Sequence, residues 1–267
     1  MKSVYFEYER PKTLPDAVKL LTNSDGQAKV LAGGQSLGAM MNLRLARPSL
    51  LVDIRHIPEM TQVTHSGNCI VYGACTTHAS IEDGKVADAS NNMMPTVAAG
   101  IAYRAVRNRG TIGGSLVHAD PAADWVITLT LLGAMLELAG PNGRRQLAME
   151  DFMNSAFDVV MDDDEILVSI HVPKLSRDAR WGYYKSCRKA GEFPEGMSAT
   201  IDDPEHGIKR VVIGATDTRP LIIGDAAALF SDPSTAAAVV KECNISVDFY
   251  LQRIHAVCLK RAIEQII

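Results

Sequence analysis

The chain has 267 residues, 47% of them hydrophobic, and a formal net charge of -4, enough length for a large core with two or three substructures. That charge argues against a nucleic-acid-binding protein, which carries a basic face. No apolar run reaches the roughly 18 residues that a membrane span requires. Cys69, Cys75, Cys187, Cys243 and Cys258 form no CxxC, so they read as free thiols of a cytoplasmic protein with no cluster ligands of its own. The start, "MKSVYFEYERP", lacks a hydrophobic signal core, which also predicts a cytoplasmic location.

In chain order, "TLPDAVKLLTNS" predicts a helix, with Thr13 as cap, Pro15 in the first turn and Ala17, Leu20 and Leu21 at helical spacing. "AKVLAG" predicts a buried strand, "GGQS" a turn, "LGAMMNLRL" a helix and "LLVDI" a second strand, a β/α unit with parallel strands. "CIVYGAC" reads as a strand, "NMMPTVAAGIAYRAVRN" as mostly helix, and "PAADWVITLTLLGA" as a helix opened by Pro121. "AMLELAG" and "RRQLAM" flank "PNG" as a hairpin, and "EILVSIHVP" alternates up to Pro173. "RWGYYKSCR" and "IKRVVIGATD" follow as strands, then a helical tail from about Gly224, with Phe249, Ile254, Val257 and Ile263 at amphipathic spacing. The division predicted is an N-terminal α/β part over 1–56, a middle α+β part over 57–175, and a sheet-and-helix part over 176–267.

Two glycine stretches, "KVLAGGQSLGAMMNLR" and "RNRGTIGGSLVHADPAAD", offer bare backbone beside little reactive side chain. Glycine lets successive amides point at one anion; the plainer reading of each is a tight turn. Gly33 to Gly38 is no G-x-G-x-x-G fingerprint, although Asp53 follows about 20 residues on, and Ala39 and Met40 stand where a P-loop needs Lys and Ser/Thr. "GQSLG" is a literal G-x-S-x-G, with Asp53 or Asp124 and His171 or His206 to complete a triad. Ser36 lies too near the start for an α/β-hydrolase nucleophile. His118, Asp120 and Asp124 have no second histidine nearby and read as non-ligating. Arg104, Arg107 and Arg109 are either a phosphate- or partner-facing cluster or the polar end of a helix.

Together with "DDEILVSIHVP", "YYKSCRKAGEF", "VVIGATDTRP" and "DFYLQRIHAVCLKRAI", both stretches follow the order of the FAD-binding medium subunit of molybdenum hydroxylases. The chain resembles that family, the relatives of carbon monoxide dehydrogenase, xanthine dehydrogenase and bacterial N-heterocycle dehydrogenases, over essentially its whole length. The resemblance implies an α+β fold of the vanillyl-alcohol oxidase (PCMH) FAD-binding type, then a small antiparallel sheet with C-terminal helices. It implies FAD held between the first two parts, with hard chemistry left to the cofactor.

By motif match, Leu31, Ala32, Gly33, Gly34, Gln35 and Ser36 form a first cofactor loop, and Thr111, Gly113, Gly114 and Ser115 a second. Asp124 matches an acid near the cofactor, with a carboxylate at a helix start as the plainer reading; Asp120 reads as a cap before Pro121. Leu167 matches an apolar contact, and Lys185 a cation that stabilises negative charge on reduced flavin or is merely solvated. Ile101 stands where relatives place an aromatic ring, which puts flavin stacking in question. No residue is assigned a catalytic role. The molybdenum cofactor is expected on a large subunit and the [2Fe-2S] clusters on a small one, the whole a dimer of heterotrimers. Electrons pass from the clusters through FAD to an external acceptor. A self-contained flavin oxidase and a flavin-free scaffold are the alternatives.

Overall fold

The computed structural model describes residues 2–224 and 226–267. In the first part β1 (Glu7–Glu9), β2 (Ala28–Leu31) and β3 (Leu50–Asp53) make a parallel sheet with β3 in the middle. Between them lie α1 (Leu14–Thr22) and α2 (Leu37–Asn42). Thr13 caps α1 by accepting from the Asp16 amide at 3.3 Å, and Leu14, Ala17, Val18 and Leu21 are buried. Parallel strands require crossovers, and α1 supplies the first.

In the middle part β4 (Val63–Ser66), β5 (Cys69–Gly73), β6 (Met135–Gly140), β7 (Gly143–Ala148) and β10 (Ile166–Pro173) form an antiparallel sheet in the order β4-β5-β10-β6-β7. A two-stranded ribbon, β8 (Met153–Ser155) with β9 (Asp158–Val159), lies before β10. The expected alternation of β10 is only partial. Its first five residues are all buried, because the strand is central and covered on both faces. Between β5 and β6 run α3 (His78–Glu82), α4 (Met93–Ala99), α5 (Arg104–Arg107), α6 (Ile112–His118) and α7 (Asp124–Leu131).

Three expectations are corrected here. The long helix over 92–108 breaks between Ala99 and Arg104, where Gly100 ends α4 and Ala102 takes a φ of 41°. The second glycine stretch is the first turn of α6 rather than a loop. Pro121 does not open α7, which starts at Asp124. The Asp120 side chain accepts from the Ala122 amide at 2.9 Å in a local turn, and the Pro121 carbonyl accepts from Ala215.

In the last part β11 (Arg180–Ser186), β12 (Gly196–Asp203), β13 (Ile208–Gly214) and β14 (Leu221–Ile223) form an antiparallel sheet in chain order, followed by α8 (Ala227–Ser231), α9 (Ala236–Glu242) and α10 (Phe249–Glu264). The sheet lies between α7 on one face and α10 on the other. All eight residues of β12 and of α7 are buried. A helix with no exposed polar face belongs inside a protein. One continuous core runs from α1 across the middle sheet to Met197, Ala199 and Val212. A second core lies under α10, where Val211 and Ile213 meet Leu259 and Ile263. The stripe that α10 buries is His255, Cys258, Leu259, Ala262 and Ile263, whereas Phe249 and Val257, expected inside, are exposed.

α10 presses so closely on β11 that a Cβ at Gly182 would stand 1.9 Å from the Ala262 carbonyl oxygen. Neither backbone can yield cheaply. Gly182→Ala is expected to cost about 1–3 kcal/mol of stability, as overpacked sites do. Urea titration checks it: the midpoint falls while the slope stays constant.

Candidate functional site

The first glycine stretch leaves β2 at Leu31 and enters α2 at Leu37. Gly34 takes a φ of 71°, a left-handed conformation that glycine adopts freely. Among the described residues, the amides of Gly33, Gly34, Gln35 and Ser36 meet no acceptor. Four consecutive unpaired donors on one turn are the equipment of an anion-binding concavity. The Gln35 amide group folds back onto the Gly33 carbonyl at 3.2 Å, and the Ser36 hydroxyl takes no partner among the described residues.

The second stretch differs. The Ile112 amide donates to the Thr76 carbonyl, Gly113 to Ala74 and Ser115 to Thr111, and the Thr111 hydroxyl caps the Gly114 amide at 3.1 Å. The donors of Ile112 to Ser115 are therefore already used, and these residues supply shape. A Cβ on Gly113 would stand 2.4 Å from that of Ala74; one on Gly114 would meet the Thr111 hydroxyl at 2.8 Å and face Ala32 at 3.8 Å.

Tertiary structure brings the two stretches together. A Cβ on Gly33 would stand 2.2 Å from the Arg109 carbonyl oxygen and 2.8 Å from the Gly110 Cα, so the backbones touch where only glycine fits. Below Gly110 lies the buried ring of His78, whose Nδ1 accepts from the Trp125 indole at 2.9 Å. Arg104 and Arg107 are engaged within the chain. Arg107 grips Glu82 at 2.7 and 2.9 Å, and Arg104 binds Glu82 and Asp83, which ties α5 to α3. Of the three arginines only Arg109 stays exposed with no side-chain partner among the described residues.

Beyond Trp125's neighbour, a polar node closes the site. Lys185 Nζ and the Tyr183 hydroxyl both donate at 2.6 Å to Oδ1 of Asp124, and Lys185 also reaches the Gly100 carbonyl at 3.0 Å. Asp124 Oδ2 accepts nothing from the described residues. Burial and then the Asp124 charge raise the Tyr183 hydroxyl well above its ordinary pKa, so it remains a donor. Ile101 adjoins Gly100, half-buried against the core, its carbonyl held by Arg107. Leu167 is buried in β10 at a register shift beside Val168, whose carbonyl accepts from Ala74, the residue under Gly113. Bulges of this kind commonly adjoin functional sites.

Tyr183 was not anticipated, yet its place two residues before Lys185 on one strand face was a readable signal. His78 and Trp125 gave none, since their contact spans 47 residues. Asp53 is not available to a ribose: Arg55 binds it at 2.9 and 2.6 Å, and Tyr8 hydrogen-bonds to it. Burial would raise its pKa, but Arg55 and Tyr8 outweigh that and hold the carboxyl well below its usual range. His118 stacks obliquely on Phe157, ring centroids 5.3 Å apart, and no trio of metal-ligating side chains gathers among the described residues.

A row of free amides against a glycine junction, with an ionic node linked to it through Trp125 and His78, is an arrangement able to receive an anion such as a diphosphate. Residues 4–175 match the family model described as FAD binding domain in molybdopterin dehydrogenase. The carbon monoxide dehydrogenase medium chain of Hydrogenophaga pseudoflava is 34% identical over 80% of this chain and 75% of its own. The nicotine 6-hydroxylase medium subunit of Paenarthrobacter nicotinovorans is 35% identical over 72% and 67%. A solved structure of carbon monoxide dehydrogenase from Hydrogenophaga pseudoflava superposes with a TM-score of 0.91 at 30% identity, covering 100% of this chain and 98% of that one. Quinoline 2-oxidoreductase from Pseudomonas putida 86 gives 0.87 at 29% identity, over 100% and 98%. The chain belongs to the family of FAD-binding subunits of molybdenum hydroxylases, and it is the FAD-carrying, electron-transferring component of such an oxidoreductase. Several of its relatives are named as medium chains or medium subunits, which are components of multi-subunit enzymes.

Two outcomes follow from this geometry. Gly33→Ala drives a methyl group into the Arg109 carbonyl and should lower FAD affinity at least tenfold with far-ultraviolet circular dichroism unchanged, whereas Gly38→Ala, with open space around it, should bind normally. Fluorescence titration with FAD separates the two. His78 provides the other: burial, with the Arg107 charge behind it, pushes its pKa down to about 4. An unfolded histidine titrates near 6.5, so between these values the unfolded chain binds the extra proton. Its contribution is complete above pH 6.5 and is lost as pH falls through 4, about 3 kcal/mol in all. Denaturation of wild type and His78→Gln across pH 4–7 should show this slope in the wild type alone.

Proposed function

We propose that Leu31 to Ser36 form the floor on which the FAD diphosphate rests, with the amides of Gly33 to Ser36 donating to it. The four unpaired amides carry this reading. In it, Thr111, Gly113, Gly114 and Ser115 form the opposing wall, and the Ser115 hydroxyl, which has no partner among the described residues, points to the cofactor. Asp124 presents its free Oδ2 to a cofactor hydroxyl while Tyr183 and Lys185 hold Oδ1. Ile101 and Leu167 supply the apolar boundary. FAD, once bound, supplies redox chemistry that no side chain here can. The protein's part is to bind it, orient it and exclude water.

The N-terminal (1–56) and middle (57–175) parts then constitute the cofactor-binding unit, and the C-terminal part (176–267) closes it through Lys185. Electrons arrive from [2Fe-2S] clusters on a small subunit, the molybdenum cofactor resides on a large one, and the assembly is a cytoplasmic dimer of heterotrimers. Among the described residues neither Ser36 nor Ser115 of the glycine stretches pairs with a base, which supports the electron-conduit role over a self-contained oxidase. Asp53, the strand-end carboxylate, is locked to Arg55, and His171 shares Ser169 with Glu137 far from Ser36 in the sequence.

Purified protein should carry about one FAD per chain, released into the supernatant by heat, and candidate heterocycles should leave its absorbance unchanged. Adding the large and small subunits should let substrate bleach it. Substrate-driven bleaching of the isolated chain would establish a self-contained oxidase instead.

A further inference from the structure

We propose that the groove between β11 and α10 docks a segment of a partner subunit that presents an apolar side chain between two carboxylates about 12 Å apart. The proposal rests on membership of a multi-subunit complex, and it is independent of which residues hold FAD. The groove encloses about 490 Å3 and is lined by Tyr184, Phe249, Tyr250, Arg253, Val257 and Arg261. It opens on the side of β11 opposite to Tyr183 and Lys185, since successive strand residues face opposite ways.

Three features suit it to a partner. Phe249, Arg253, Val257 and Arg261 recur every fourth residue, a row along one side of α10. Phe249 is 72% exposed, Tyr250 61% and Val257 47%, although α10 already buries a full apolar stripe on the sheet. A second apolar face on an amphipathic helix, left to water, marks an interaction surface.

The charges specify the occupant. Among the described residues neither Arg253 nor Arg261 has a carboxylate partner. Arg253 lies over the Phe249 ring at 5.9 Å and Arg261 over the Tyr184 ring at 4.9 Å, with a hydrogen bond to the Tyr184 hydroxyl. Glu195, the carboxylate at the rim, accepts from Tyr250 at 3.1 Å. In a chain of net charge -4, two guanidiniums held on aromatic rings without counter-charge complement an acidic surface. Eight residues of helix separate them, about 12 Å. Arginine on an aromatic platform is also the residue type that concentrates binding energy at interfaces.

The test uses the co-expressed complex with a tag on the large subunit. Arg253→Glu with Arg261→Glu should weaken retention of the FAD subunit ten- to a hundredfold, the range for reversing desolvated interfacial charges. Flavin absorbance and melting temperature of the isolated chain should not change. Phe249→Ala with Val257→Ala should weaken retention without altering charge, and lysine at both arginine positions should restore most of it. Stoichiometric recovery of the charge-reversed chain would overturn the proposal. So would an isolated wild-type chain that is a dimer in solution and that the same reversal converts to monomer while the complex still assembles.

Discussion

Everything at the site depends on one contact, the backbone of Gly33 against the backbone of Arg109 and Gly110. Two segments about 75 residues apart approach this closely because Gly33 carries no Cβ toward the Arg109 carbonyl, while the missing Cβ of Gly110 makes room for the His78 ring. The Gly33–Ser36 amides stay unpaired beside this contact, and Gly114 faces Ala32 across it. The contact is held from behind. Gly113 rests on Ala74, and Gly110 rests on the His78 ring, which Trp125 fixes from α7. A slip in any of these would open the junction, because rigid backbone and buried rings lie behind it rather than flexible side chains.

α7 joins that cradle to the rest of the molecule. Its eight residues are buried, and its first two face the site in different ways. Asp124 gathers Tyr183 and Lys185 from the last sheet, and Trp125 reaches His78. Burying an ionic pair is costly unless every partner is satisfied. Here Asp124 Oδ1 receives two donors and Lys185 has a second acceptor in Gly100. The pair thus fixes the last sheet against the middle helices and leaves Oδ2 of Asp124 without a partner among the described residues. The same buried setting keeps His78 neutral and Tyr183 protonated, so the site presents fixed dipoles instead of groups that exchange protons. That suits a protein whose chemistry is supplied by a redox cofactor.

The division of labour between the faces of the last sheet has the same logic. One face brings Tyr183 and Lys185 to Asp124. The other packs on α10, whose outer side remains aromatic and cationic. A subunit that relays electrons needs a place for its cofactor and a place for its neighbours, and under the two proposals made above alternation along β11 separates them within one strand.

By itself the sequence determined the local devices: the cap at Thr13, the apolar runs of β3, β6 and β10, the "PNG" hairpin and the two glycine stretches. Each is a signal carried by a few adjacent residues acting on their own backbone, and the order of the motifs carried the family. The tertiary structure decided the rest. It made the second stretch a helical turn whose amides are spent inside the chain, began α7 at Asp124 rather than Pro121, and turned Phe249 and Val257 outward. It placed the fully buried strand β12, whose serine, threonine and two aspartates conceal it from any apolar pattern. It alone joined Gly33 to Gly110, Lys185 to Asp124 and Trp125 to His78. These are steric and electrostatic fits between groups tens of residues apart, and neither propensity nor periodicity, which act over a few residues, records which distant surface a side chain will meet.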